Sequence, residues 1–126
     1  MTEPWCKIVA FYDDFLPDEP SVQAVGDVAR HINHGRLRSG LFAWTSHMDL
    51  FITQMPVSYP YDGPRLGISP RFDGTVEFRY IDTWDEKKQW HRTVDGSDAI
   101  QRLHGFLDQL TWFPRRSRIE DPSSES

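Results

Sequence analysis

Cysteine is nearly absent from this chain of 126 residues, which contains Cys6 alone. One cysteine excludes an internal disulfide, and no cysteine pair is available for a structural zinc site. The first residues, MTEPWCKIVAFYDD, lack the charged start and apolar run of a signal peptide. No stretch approaches the roughly eighteen apolar residues of a membrane helix. We therefore expect a cytoplasmic protein with no membrane association.

Positive charge is also scarce, since 14 Lys and Arg stand against 19 Asp and Glu, for a net charge of −5. Nucleic-acid binding relies on cationic surfaces that neutralise phosphates, so we expect no nucleic-acid partner. Aromatic residues are abundant, with five Trp, eight Phe and four Tyr. Together with a hydrophobic content of 38%, they indicate a small acidic folded domain.

Residues 65–94 predict a three-stranded antiparallel meander. Its first turn contains Asp73-Gly74, a strong hairpin signal between two β-prone runs. A two-residue loop would mix polar and apolar partners on both faces of the hairpin. A three-residue loop, a type I turn closed by Gly74 in the left-handed conformation, gathers the apolar residues on one face and is favoured. The resulting pairs are Pro70 with Val76, Ile68 with Phe78 and Leu66 with Tyr80.

The second turn of the meander sets Tyr80 opposite Trp90 and Val76 opposite Val94, which extends the same apolar face. Arg92 points toward that face as well. We expect Arg92 at the sheet margin, with its aliphatic stem packed and its guanidinium in water.

The other elements follow from local patterns. Residues 6–12 predict a strand, and residues 18–34 predict a helix capped by Asp18. Residues 41–54 predict a hairpin that turns at Ser46-His47 and pairs Ala43 with Leu50. The last helix has Ser97 as its cap and Pro114 as its end. Its apolar stripe is Ile100, Leu103, Leu107 and Leu110.

The predicted order is therefore β-α-β-β-β-β-β-α. It describes one α+β domain over residues 1–114, whose antiparallel sheet carries two helices packed on one face. Residues 115–126 contain one apolar residue and predict a disordered polar tail.

No motif in the sequence carries a reaction. His31 and His34 could share a helix face, and His47 with Asp49 could add ligands, but the spacing lacks any metalloprotease or cysteine signature. Cys6 lacks a flanking motif that would activate a thiol. The acidic residues at 13–14 and 18–19 suit a helix amino terminus better than a cation site. We predict no metal and no cofactor.

Several aromatic residues fall in turns or loops, where they either anchor a partner or fold back over the core. We favour a non-enzymatic protein-binding module, such as an inhibitor or a toxin-neutralising, immunity-like protein. One alternative is an enzyme or small-molecule-binding domain with an Asp, His and Tyr pocket beside residues 59–61, using Asp13, Asp14 or His47. Another is a self-associating structural subunit. The predicted partner surface comprises Trp44, His47, Asp49, Phe51, Tyr59, Tyr61 and Trp84.

The hairpin of residues 41–54 has two apolar faces, and one of them carries Trp44 and Phe51. If the helices cover only the other face, no part of the chain covers these two rings. Replacing both with serine should then weaken association and leave folding intact.

Overall fold

A computed structural model describes residues 1–14 and 18–112. Five strands form one antiparallel sheet in chain order, which confirms the predicted α+β class. The predicted tail over residues 115–126 and the predicted helix end at Pro114 lie outside the described residues. The strands are β1 Phe42–Ser46, β2 Asp49–Thr53, β3 Arg65–Pro70, β4 Thr75–Ile81 and β5 Trp90–Asp95, and the helices are α1 Trp5–Asp14, α2 Pro20–His34 and α3 Ala99–Leu110.

The three helices pack against one face of the sheet and bury a continuous apolar core. Phe78, Ile68 and Leu50 on neighbouring strands are fully buried beneath them. Among the described residues, no helix combines the length and the apolar character needed to cross a bilayer.

The predicted registers of the meander are confirmed. Residues of β3 pair with those of β4 as expected, and Tyr80 lies opposite Trp90. Gly74 has the predicted positive φ of 87°, but Phe72 also has a positive φ, of 64°. The three-residue loop is therefore correct. The predicted type I turn is wrong, because Phe72 is the second residue of that turn and a type I turn needs a negative φ there.

The β1–β2 register differs from the prediction by two residues. Ala43 pairs with Ile52 rather than Leu50, and the turn lies at His47 and Met48. Because side chains alternate with a period of two, this shift leaves every residue on its predicted face.

The first element is a helix, so the predicted strand over residues 6–12 is wrong. Trp5, Ile8 and Tyr12 are the buried residues of α1 and lie on one helical face. The Trp5 indole nitrogen donates to the Leu41 carbonyl at 2.9 Å, and the Tyr12 hydroxyl donates to the Met48 carbonyl at 2.8 Å. These bonds fix α1 to residues at both ends of β1. The domain therefore has three helices rather than two.

The predicted helix caps also need correction. Glu19, not Asp18, caps α2 by accepting a hydrogen bond from the Val22 amide at 3.0 Å. A 3-10 turn over Gly96–Asp98 precedes α3, and Ser97 makes no cap there. The helix ends at Leu110, followed by Thr111 with a φ of 59°.

Candidate functional site

The sheet has a helix-free face, formed by the side chains that point away from the three helices. A row of paired residues crosses this face through all five strands. From β1 to β5, the row consists of Trp44, Phe51, Gly67, Arg79 and His91.

Gly67 provides the space that holds the middle of this row together. A β-carbon at Gly67 would lie 3.0 Å from the Phe51 ring, because that ring lies across the glycine. The Trp44 ring stacks on Phe51 with centroids 5.4 Å apart, and the Arg79 guanidinium lies 5.9 Å from the centre of the Phe51 ring. Because Gly67 has no side chain, the Phe51 ring can lie over β3 and contact both the Trp44 ring and the Arg79 guanidinium.

The connection between β2 and β3 folds back over one end of this row. The Tyr61 ring meets Trp44 edge to face at a centroid distance of 6.3 Å, and Trp84 meets Tyr61 at the same distance. Trp44 is consequently only 8% exposed. The chain itself covers the ring that was expected to remain uncovered, so Trp44 is not available to a partner.

Residues 54–64 and 82–85 form one unit, which we call the loop platform. The Thr83 hydroxyl donates to the Asp62 carbonyl, and the Tyr61 hydroxyl donates to the Pro64 carbonyl at 2.9 Å. Gly63 has no room for a side chain, since a β-carbon there would lie 2.6 Å from the Tyr61 oxygen. The platform is therefore closely packed despite having no regular secondary structure.

Asp82 organises the second segment of the platform. Its buried carboxylate accepts hydrogen bonds from the amides of Trp84 at 3.0 Å and Asp85 at 3.1 Å. The Tyr80 hydroxyl donates to the same carboxylate at 3.3 Å. Burial, and then the nearby Asp82 charge, raise the pKa of Tyr80 to about 12. Burial also raises the pKa of Tyr61. Both hydroxyls are therefore protonated donors near neutral pH.

The platform presents large side chains to water. Tyr59 is 85% exposed and Trp84 is 69% exposed, and Met55 is exposed as well. The backbone that carries Trp84 is fixed by Asp82, so this ring is exposed on an ordered turn. Of the predicted partner residues, Tyr59 and Trp84 are the accessible aromatic ones.

The remainder of the helix-free face is polar and internally paired. Arg79 contacts Asp49 at 3.4 Å and the Ser69 hydroxyl at 3.0 Å. Glu77 contacts Arg71 at 3.1 Å and His91 at 3.4 Å. Asp49 is thus engaged in an ion pair within the sheet.

His47 is exposed in the turn between β1 and β2, at the end of the sheet away from residues 54–64. Asp13 pairs with Arg30 on the helix side of the molecule. The structure therefore does not bring Asp13 or His47 to the Tyr59 and Tyr61 loop, and the Asp, His and Tyr pocket is not assembled there.

Among the described residues, cavities also lie away from the loop platform. One of about 250 Å³ lies against Glu77, Arg79, Gln89 and His91, and another of about 200 Å³ lies between Tyr12 and Arg30. Within residues 1–14 and 18–112, no three His, Cys, Asp or Glu side chains converge as metal ligands. His31 instead meets His104, with their Nε2 atoms 2.8 Å apart.

Comparison with protein-family models, with curated proteins and with solved structures finds no match. The candidate site therefore rests on the geometry of this chain alone.

Proposed function

We propose that this protein is a non-enzymatic binding module that docks a protein partner through the loop platform. The observation that carries this proposal is the exposure of Trp84 on a turn whose backbone is already fixed, with the exposed Tyr59 ring in the same platform. Tryptophan and tyrosine, together with arginine, are enriched among the residues that dominate binding energy at protein interfaces.

The order of the platform supports this reading energetically. Association normally costs about 0.5–1.5 kcal/mol for each flexible side chain that becomes fixed, in addition to any loop ordering. The Asp82 carboxylate and the Thr83 contact already hold the turn, so most of the loop ordering occurs on folding rather than on binding.

The proposed mode of action is occlusion of a partner, as an inhibitor or toxin-neutralising protein performs it. Such a protein needs a rigid surface and no catalytic group. The acidic composition and single cysteine are compatible with a cytoplasmic location, which forms part of the proposal.

The test uses the full chain as bait in extracts of cells that express it. The double variant Trp84→Ser with Tyr59→Ser removes the two exposed rings. The matched control is Phe72→Ser, because Phe72 is also an exposed aromatic residue but lies in the hairpin at the opposite end of the sheet. Circular dichroism checks that all three proteins fold alike.

We expect the wild type and Phe72→Ser to retain at least one protein in similar amounts. The double variant should retain about tenfold less of that protein, or less still. Retention of the same proteins by the double variant would overturn the proposal. Light scattering on the same samples tests self-association, and a wild-type dimer that the double variant dissociates would make the partner a second copy of the chain.

A further inference from the structure

The two edges of the sheet differ in how they are closed. At β1, the Glu3 amide donates to the Ala43 carbonyl at 2.8 Å, so the amino-terminal segment forms a bridge along that edge. At β5, no segment of residues 1–14 and 18–112 pairs with the outer side. The central residues of β5 are exposed.

The ladder fixes which backbone groups of β5 face outward. The Gly96 amide donates to the Gly74 carbonyl at 2.8 Å, and such bonds recur at every second residue of an antiparallel pair. Val94, Arg92 and Trp90 therefore bond to β4, whereas His91 and Thr93 direct their N–H and C=O groups away from the sheet. The Arg92 side chain donates to the outward carbonyl of His91 at 2.8 Å.

Two arginines lie against aromatic rings where β5 meets α3. Arg92 lies 5.6 Å from the centre of the Trp90 ring, and Arg102 lies 5.1 Å from that of Phe106. The two rings are themselves in contact, with centroids 4.8 Å apart. These four side chains form one stack, which we call the edge stack.

Neither arginine of the edge stack has an acidic partner among the described residues. By contrast, Arg30, Arg71 and Arg79 each contact a carboxylate. A guanidinium that lies over an aromatic ring is restrained by it, and its remaining N–H groups suit bidentate binding of a carboxylate.

A second copy of the chain is a poor occupant of this edge. Pairing β5 with its own copy would bring the arginines of two edge stacks onto the same side of one sheet, where like charges repel. An inward-pointing charge on an edge strand is a known device against such self-pairing. The same charge favours a strand that carries carboxylates on the helix side.

We propose that β5 accepts an acidic extended segment of a partner protein as a sixth strand, with its helix-side carboxylates bound by Arg92 and Arg102. The N–H of His91 and both backbone groups of Thr93 supply the ladder bonds, as in other cases of strand addition, while the His91 carbonyl keeps its hydrogen bond from Arg92. This surface comprises different residues from the loop platform, so the two proposals fail or succeed separately.

The probe is a synthetic peptide of about eight residues in which threonine and glutamate alternate, so that the carboxylates share one face of the added strand. Two further peptides replace glutamate with lysine, or carry N-methyl groups on alternate residues of the acidic peptide. Each is titrated into the full chain while backbone amide shifts are followed by NMR. We expect the acidic peptide to shift the amides of His91 and Thr93 most, and the other two peptides to bind at least tenfold more weakly.

Protein variants separate charge recognition from backbone pairing. Arg92→Glu should weaken binding of the acidic peptide at least tenfold. Thr93→Pro should weaken it by the same factor, because it removes an outward N–H that does not bond to β4. The matched control is Arg38→Glu, which makes the same change of charge in the short 3-10 turn that precedes β1, the strand at the opposite edge of the sheet. The proposal is overturned if the acidic peptide does not bind, if the N-methylated peptide binds equally well, or if Arg38→Glu weakens binding as much as Arg92→Glu.

Discussion

The two faces of this sheet are covered by different kinds of structure. Three helices cover one face, and their apolar residues recur at helical spacing above strands that alternate with a period of two. On the other face, an irregular loop places the Tyr61 ring against Trp44. The part of this face that the loop does not cover is polar and includes the ion pair of Arg79 with Asp49. Regular structure covers its face through patterns visible in the sequence, whereas the loop does so through contacts that no local pattern encodes.

The largest effect should come from the helix-covered face. Phe78 is fully buried and contacts Phe106 with ring centroids 4.9 Å apart. We expect Phe78→Ala to lower the free energy of unfolding by about 4 kcal/mol, through lost burial and an unfilled cavity. Denaturant unfolding measures this loss, and Phe78→Leu should cost less than Phe78→Ala because it leaves a smaller cavity. A loss below about 1 kcal/mol for the alanine variant would contradict the packing described above.

Trp44 gives the matching test for the loop-covered face. Because Tyr61 and Phe51 enclose this ring, we expect Trp44→Ala to cost about 3 kcal/mol, at the low end for a buried aromatic residue. The value should be below that for Phe78 because an irregular loop can collapse into the vacated space. Unfolding curves that match the wild type would instead make Trp44 a surface residue and restore the sequence-based expectation.

The sequence predicted the meander well because two signals agreed there. Asp73-Gly74 placed the turn, the alternating apolar residues then selected the three-residue register, and the structure has that register. The same reasoning failed for the first element, whose helical spacing begins at Trp5, one residue before the run interpreted as a strand. Four β-favouring residues within residues 6–12 then outweighed an apolar spacing that is visible only in the longer segment.

The candidate site was predictable only in part. The sequence singled out Trp44, Tyr61 and Trp84, but a loop's path over a sheet depends on distant contacts such as that of Thr83 with Asp62. Alternation placed Gly67 and Arg79 together on the polar face, yet nothing local showed that the Phe51 ring would lie across Gly67 and within 5.9 Å of the Arg79 guanidinium. The edge stack was missed except for Arg92, which the sequence correctly placed at the sheet margin.

The hairpin at Gly74 sets the register of β3 and β4, and with it the residues that reach each face of the sheet. Substitution at Gly74 therefore tests whether its backbone conformation is needed for this arrangement. A β-carbon at Gly74 would meet no atom within 4 Å, but the φ of 87° strains any other residue. We expect Gly74→Ala to cost about 1–2 kcal/mol. Gly105 in α3 also has open space around it, and Gly105→Ala should stabilise the protein by about 0.5–1 kcal/mol. Equal shifts in Tm for the two variants would exclude backbone strain as the cause.

Tyr80 links the two faces, because its ring lies in the helix-side core while its hydroxyl reaches the Asp82 carboxylate that holds Trp84. Near pH 8, we expect Tyr80→Phe to cost about 1 kcal/mol, the usual value of one hydrogen bond. The folded protein raises the pKa of Tyr80 from 10.0 to about 12, so the folded state holds this proton more tightly than the unfolded state. The stabilisation from this group is therefore complete below pH 10 and is lost as the pH rises from 10 toward 12.

The free energy of unfolding measured in denaturant from pH 8 to pH 11.5 should consequently fall more steeply for the wild type than for Tyr80→Phe. The difference between the two proteins should shrink above pH 10, since only the wild type must keep the Tyr80 phenol protonated. Tyr59→Phe is the control, and its curve should follow the wild type because its side chain lies in solvent. Parallel curves for wild type and Tyr80→Phe would mean that the Tyr80 and Asp82 contact does not couple the core to the loop platform.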